Sequence, residues 1–195
     1  MSDGVLRGDL ERRLVRLVGQ SPEMVETLEA CRRYGLPNHY LAGGAVTQMV
    51  WNGLLGRPLL DQVKDFDVVY FADEPLEAQA RHEEALQAVL GHGVAVDVKN
   101  QARVHEWYPR KFGREIEPYG CAEDGIASWL PAFAVGVRLE DGGLEGKWCV
   151  VAPFGLSDLW SMRVRPNKTV MGRGDYVRMT ASVKRRWPQI VVGPW

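Results

Sequence analysis

No stretch of this 195-residue sequence approaches the roughly 20 consecutive apolar residues that a membrane-spanning helix needs, so no membrane role is expected. Residues 1–20 are dense in Arg, Asp and Glu and lack the apolar core of a secretory signal, which makes the cytoplasm the expected location. Cysteine is scarce. Cys31, Cys121 and Cys149 are odd in number, widely spaced and form no CxxC pair, which argues for reduced thiols and against a disulfide or zinc framework. The GxxxxGK[ST] pattern of a P-loop is missing, as are internal repeats, low-complexity linkers and any DNA-binding motif. Without a secretory route, the Asn167-Lys168-Thr169 sequon and the Gly172-Arg173-Gly174-Asp175 turn carry no message. Net charge is nearly absent too, with 24 Lys+Arg against 25 Asp+Glu.

Hydrophobic residues make up 46% and charged residues 25%, the proportions of a globular protein rather than a disordered or fibrous one. The length suits one domain over residues 1–195, with an N-terminal helical segment at about 1–36 and a basic C-terminal tail at about 163–195. The small net charge hides an uneven distribution. Residues 61–85 carry eight acids against Lys64 and Arg81, whereas residues 163–186 carry eight bases against Asp175 alone. Such an arrangement suits either two solvated surfaces or a site that holds cations and a phosphate-bearing partner.

Apolar spacing sets the expected elements. Leu6, Leu10, Leu14, Leu17 and Val18 recur at helical intervals. Ser21-Pro22 reads as an N-cap followed by proline at the first helical position, opening a helix whose stripe is Met24, Val25, Leu28 and Cys31 and which Gly35 and Pro37 end. His39 to Ala42 is a short strand running into Gly43-Gly44, and a helix follows from about Ala45 to Leu55. Phe66, Val68 and Tyr70 alternate with Asp65, Asp67 and Val69, and Val94, Val96 and Val98 with Ala95, Asp97 and Lys99, giving two strands. A helix opened by Pro75 and running to about Leu90 separates them. Asn100 is placed to cap a helix through Trp107. A further helix is expected at Glu123–Leu130 and a strand at Ala134–Leu139. The turn Asp141-Gly142-Gly143 would join it to a strand at Lys147–Val151. Ser157 would cap a short helix, and another is expected near Tyr176–Trp187. The fold class is α+β, a mixed β-sheet flanked by helices.

Chemistry concentrates at three acids. Asp65 and Asp67 are two apart on a strand, so their carboxylates leave the same face. There they repel each other unless a cation sits between them, and aspartate is a poor strand former. Asp97 lies inside the next apolar strand, and if the strands are neighbours three carboxylates converge. Oxygen-only donors favour Mg²⁺ or Mn²⁺ over zinc. Gly43-Gly44 follows a strand and opens a helix, where backbone N–H groups can meet a phosphate; the alternative is a tight turn with no ligand.

The order strand, Gly-Gly, helix, DFD, third Asp resembles the nucleotidyltransferase fold of DNA polymerase β and the CCA-adding enzymes. LAGGAVTQMVWNGLLGRPLLDQVKDFDVVYF is similar to the CCA-type head. Together with DVKNQARVHEWY and APFGLSDLWSMRVRPN it resembles a bacterial family of small nucleotidyltransferase-like proteins over about residues 38–188. The resemblance implies a minimal polymerase β-like fold and a two-metal transfer of an NMP, with ATP among the candidate donors. Asp65 and Asp67 would bridge two Mg²⁺ ions, Asp97 would complete the site for the ion that activates the acceptor hydroxyl, and Gly43 and Gly44 would contact the triphosphate. One departure stands out: CCA-type relatives usually have Arg-Asp after GGxV, and here the residues are Thr47-Gln48.

Asn100, Arg103 and Trp107 would share a helical face just beyond Asp97. Arg103 would then take a phosphate and Trp107 would stack on a base; alternatively they are a cap, an Arg packed on Trp107, and a core aromatic. Lys99 shares the Asp97 face, as a phosphate ligand or an ion-pair partner. His105 reads as a satisfied structural residue, Arg163 and Arg165 as candidates for the far wall of the cleft, Asp158 as a cap, and Trp51 as near the cleft. Two functions follow. One is a Mg²⁺-dependent nucleotidyltransferase with an NTP substrate and a hydroxyl acceptor that is a small molecule, protein or RNA. The other is a catalytically inactive nucleotide-binding or regulatory module acting through a protein partner.

Overall fold

The computed structural model describes residues 3–140 and 147–195; the Asp141-Gly142-Gly143 turn lies outside the described residues. Two helices, α1 (Asp3–Val18) and α2 (Pro22–Tyr34), lead into β1 (Tyr40–Ala42), α3 (Gly44–Leu54), β2 (Asp65–Tyr70), α4 (Ala78–Val89) and β3 (Ala95–Asn100). A 3₁₀ turn (Gln101–Arg103) precedes α5 (Val104–Phe112) and α6 (Ala122–Ala127). The chain continues through β4 (Gly136–Leu139), β5 (Trp148–Val151), α7 (Ser157–Trp160), β6 (Arg163–Val164), α8 (Arg173–Arg186) and β7 (Val191–Val192). No helix among the described residues is long and apolar enough to cross a membrane.

Five strands form one mixed sheet in the order β3-β2-β1-β4-β5. β2 and β3 run parallel, joined by the α4 crossover that parallel neighbours require; the other neighbours are antiparallel. The expected mixed sheet with helical cover is therefore present. β6 and β7 add a small parallel pair that sequence pattern did not suggest.

The period-two alternation of the strands divides the sheet into two faces. Leu41, Phe66, Val68, Tyr70, Val96, Val98 and Val137 point into the main core against Leu14, Met24, Leu28, Val46, Met49 and Val50 of α1–α3. The opposite face carries Tyr40, Ala42 and Val69, packed on Ala122 and Ile126 of α6. Asp65, Asp67 and Asp97 alternate onto that second face. A separate apolar cluster of Trp51, Phe133, Tyr176, Val183, Trp187 and Ile190 anchors α8.

Several local expectations hold and others shift. Ser21 caps α2, its Oγ accepting from Met24 N at 3.4 Å, and Gly35 ends it in the left-handed conformation. In the α2 stripe Thr27 is fully buried while Val25 is half-buried, because the Thr27 hydroxyl bonds Glu23 O at 2.8 Å and meets His92 Nε2 at 2.9 Å. Pro75 opens a turn rather than α4, which begins at Ala78. Ser157 is the first residue of α7; Leu156 precedes it without a side-chain cap. Asp158 instead pairs with Arg165 at 2.6 Å. Trp51 belongs to the core, its indole N–H donating to Leu159 O at 3.0 Å.

Asn52 ties the two clusters together. It is fully buried at the end of α3, donates to Leu59 O at 2.9 Å and Asp61 O at 2.7 Å, and accepts from Trp187 Nε1 at 2.8 Å. A buried, fully satisfied network is costly to break because each abandoned partner stays desolvated. Asn52→Ala should cost about 2–4 kcal/mol, seen as a lower urea midpoint with an unchanged slope.

Candidate active site

The sheet's second face opens into a cleft of about 500 Å³. Its floor is Gly43, Gly44, Asp67, Asp97 and Lys99. One wall is α5, which presents Val104, Trp107, Tyr108, Lys111 and Phe112, the i, i+3, i+4, i+7, i+8 stripe of a single helix face. The facing wall is α8, with Asp175, Met179, Ser182, Val183 and Arg186 at the same kind of spacing. Trp129, Tyr119 and Phe133 close the end nearest the Gly-Gly turn.

Parallel register places Asp67 directly beside Asp97 on the neighbouring strand, and Asp65 beside Ala95. Asp65 is exposed at the start of its strand. Burial, followed by the charges of Asp65 and Asp97, pushes the Asp67 carboxyl up to about 7, against the opposing pull of the Gly44 N–H and Lys99. At Asp67 negative charge is therefore both crowded and poorly solvated. Lys99 Nζ bonds Asp97 Oδ1, the ion-pair role rather than the phosphate role among the two open to it. Both side chains are about 40% exposed, so the pair is weak and readily exchanged.

The donor chemistry of the three aspartates fits a hard divalent cation, since all are carboxylate oxygens and their mutual repulsion is what a cation relieves. The convergence expected of them is incomplete: among the described residues no three His, Cys, Asp or Glu side chains stand as a ready metal cluster. Asp97 is engaged by Lys99, and Asp65 faces solvent.

The Gly-Gly turn is built differently from a free amide cradle. Gly43 sits at φ 67° and its N–H donates to Val135 O at 2.9 Å. The Gly44 N–H lies close enough to Asp67 to favour its ionised carboxylate. The Gly43 amide is thus taken up within the fold, while Gly44 opens α3 beside Asp67. What glycine provides is room. A Cβ on Gly43 would lie 2.9 Å from Trp129 Cζ3 and 3.4 Å from Asp67 Oδ2, in a backbone conformation that L-residues rarely adopt.

Two other expected site residues lie outside the cleft. Asn100 is fully buried, with its amide bonded to both backbone groups of Ala72 and its Oδ1 capping the 3₁₀ turn at Ala102 N. Arg103 donates to Glu74 O at 2.7 Å, Asp73 at 2.8 Å and Glu106 at 3.2 Å. The physical reason is the 3₁₀ turn itself. At three residues per turn it rotates Asn100 and Arg103 away from the face that Trp107 presents. His105, expected to be a satisfied structural residue, has a buried Nδ1 with no partner among the described residues. Arg163 and Arg165 do not line the cleft, and α8 forms the far wall instead.

Sequence reasoning missed Arg186, Lys111, Trp129 and Gln48. The α8 and α5 stripes carry the signal for the first two. Trp129 follows α6 in irregular chain, where no periodicity marks it. Gln48 was noted only as a departure. Thr47 is fully buried, its hydroxyl shared between Gly43 O at 3.0 Å and Ala132 O at 2.9 Å, while Gln48 reaches the cleft. Arg186 lines the cleft on the side facing this turn's floor. Arg186 feels the charge of Asp65, and burial together with Arg185 lowers its guanidinium below the usual arginine range.

Two aspartates side by side on parallel neighbouring strands, next to a strand–Gly-Gly–helix turn, are the arrangement that the resemblance implies for a nucleotidyltransferase head fold. Comparison with known proteins agrees. A family described as Nucleotidyltransferase matches residues 29–192, and the chain belongs to that family, whose general reaction is transfer of an NMP from an NTP. A solved structure, an NMR structure described as revealing a CCA-adding enzyme head domain, superposes with a TM-score of 0.74 at 23% identity, covering 94% of this chain and 96% of that one. At that identity the likeness establishes the fold. No curated protein matches the sequence.

The Asp67 geometry has a pH signature in metal-free protein. Its folded carboxyl lies at about 7 against an ordinary 3.8, so between those values the native state holds a proton that the unfolded chain has released. Stability contributed by this group then falls as pH rises through that window. Asp67→Asn should flatten this limb and raise stability above neutral pH by about 1–3 kcal/mol. Urea midpoints with a chelator present, at pH values below and above the window, check it; an unchanged slope in the variant would refute it.

Proposed function

We propose that this chain transfers an NMP from an NTP to a hydroxyl acceptor by a two-metal mechanism, with Mg²⁺ or Mn²⁺ held by Asp65, Asp67 and Asp97. The observation that carries the reading is the pairing of Asp67 with Asp97 on the floor of an aromatic-walled cleft that Arg186 and Lys111 face from opposite sides. The divalent ions, when bound, neutralise the triphosphate and acidify the acceptor hydroxyl.

The chain's own residues supply the rest. Arg186, a planar donor fork, and Lys111, a point charge, attract the triphosphate from the two walls. Trp107 and Trp129 offer flat faces to a base, and stacking tolerates any nucleobase. Lys99, beside Asp97 on the floor, would donate to a phosphate oxygen once that carboxylate is otherwise neutralised. The acceptor oxygen then forms its bond to the α-phosphorus as the bond to the bridging oxygen breaks. Pyrophosphate leaves, and the hydroxyl proton passes to solvent at the open mouth. Positioning and charge neutralisation carry most of such a reaction.

One observation favours the second reading, a nucleotide-binding module without turnover. Lys99 already neutralises Asp97, and no ready three-ligand cluster stands among the described residues. A thermal-shift series of the four NTPs with and without Mg²⁺ separates the two when combined with a pyrophosphate-release assay. An NTP at 100 times its dissociation constant should add roughly 2.7 kcal/mol of stability, several degrees in Tm. Turnover with a Mg²⁺-dependent shift, both lost in Asp65→Asn/Asp67→Asn, supports the enzyme. A shift without pyrophosphate across a panel of acceptors supports the module, and no shift with any NTP overturns both. In the enzyme, Asp67→Asn should cut pyrophosphate release on the order of a thousandfold. Arg186→Gln should raise KM for the NTP about tenfold, with kcat less affected.

A further inference from the structure

A second pocket, of about 360 Å³, lies at the other end of β1. It is formed by Arg32 and Leu36 at the end of α2, Asn38 and His39 on the approach to β1, and Arg138 and Glu140 at the end of β4. His39 and Gly43 are four residues apart along nearly extended chain, about 13 Å, so this pocket and the cleft open at opposite ends of the same strand.

Its polar groups are unfinished. His39 is 7% exposed. Its Nδ1 lies 2.6 Å from Leu36 O, and because a carbonyl only accepts, Nδ1 carries the hydrogen. Nε2 is then a lone-pair acceptor, and it is buried with no partner among the described residues. Burial, reinforced by the Arg138 charge and only partly offset by the Leu36 bond, lowers the imidazole's proton affinity and keeps it neutral. Arg32 Nε is likewise buried without a partner among the described residues. Arg138 is held over the Tyr40 ring at 4.8 Å and pairs with Glu140 at 3.4 Å, while Glu140 is shared with Lys147 at 3.5 Å. Two arginines on different elements thus line the pocket that holds this unsatisfied buried acceptor.

That combination selects its ligand. Guanidinium groups want a planar or tetrahedral oxyanion. Nε2 wants a hydrogen-bond donor. A carboxylate at neutral pH satisfies the first and offers nothing to the second. A phosphate group with a second pKa near 6 still carries a proton in part at neutral pH, so it offers charged oxygens and a P–OH together. We propose that this pocket binds a protonated phosphate group, as hydrogen phosphate or the end of a phosphomonoester, with Arg32 donating to its charged oxygens and its P–OH donating to His39 Nε2. Arg138 adds the second positive charge, and the site is independent of the three aspartates.

The test titrates wild-type protein with inorganic phosphate, with glycerol 3-phosphate and with acetate, by calorimetry and by amide and imidazole chemical shifts. Both phosphates should bind and move the His39 and Arg138 resonances, and acetate should not. Stronger binding of one phosphate identifies which source the pocket suits. Arg32→Gln and His39→Phe should each weaken phosphate binding about tenfold, whereas Arg186→Gln, in the other cleft, should leave it unchanged. If phosphate moves no resonance near His39 at millimolar concentration, if acetate binds equally, or if only Arg186→Gln weakens binding, the proposal is overturned. The wild-type shift map decides the matter even if a variant fails to fold.

Discussion

Everything in the cleft follows from crowding negative charge onto one face of the sheet, with its least solvated member at Asp67. Strand alternation sends the Val and Phe residues of β2 and β3 into the core and leaves Asp67 and Asp97 side by side on the other face. Both the distance between parallel strands and the register are fixed by backbone hydrogen bonds, so the carboxylates cannot retreat from each other. Each neighbouring feature is a response to that crowding. The Gly44 N–H points at Asp67, Lys99 lies on Asp97, Arg186 faces Asp65, and the Asp67 carboxyl is pushed upward in pKa. Gly43 is required because any side chain there would strike Trp129 beside the same aspartate.

Much of this was legible in the sequence because it depends on short-range periodicity. The DFD strand, the Asp97 strand, the Gly-Gly turn and the Ser21 cap each announce themselves within a few residues, and the α+β class follows from their order. Legibility ended where placement depends on handedness or on distant chain. Asn100 and Arg103 looked like cleft residues on an α-helical wheel, but a 3₁₀ turn lies between β3 and α5, and its tighter winding sends them to Ala72, Asp73 and Glu74. The far wall was sought in Arg163 and Arg165 because they belong to the basic region. The structure uses α8 instead, whose cleft-facing stripe contains a single arginine. Charge density along the chain did not say which cation would face the acids.

The Thr47-Gln48 departure illustrates the same limit from the other direction. A missing arginine after GGxV looks like a lost phosphate contact when only the local motif is considered. In the fold, Thr47 is a buried staple between Gly43 and Ala132, a position where a guanidinium would have to be desolvated. The staple holds the turn that carries Gly44 against Asp67. In this fold a positive charge at the cleft comes from Arg186, on a helix more than a hundred residues later. Because α8 is anchored through Trp187 and Asn52 to the end of α3, the cation and the Gly-Gly turn remain mechanically linked.

The charge balance of the cleft constrains how an NTP enters under the proposed reading. Asp65, Asp67 and Asp97 are opposed by Lys99, Lys111 and Arg186, and Asp175 on the α8 wall is already paired with Arg178 at 2.5 Å. The cleft is therefore close to neutral rather than strongly cationic, and a bare triphosphate gains little by entering it. A divalent ion bound with the triphosphate would supply the counter-charge the aspartates need, and Lys99 on the same floor would then be free to donate to a phosphate oxygen. Nucleotide and metal would thus bind with mutual assistance, because each removes the repulsion that excludes the other.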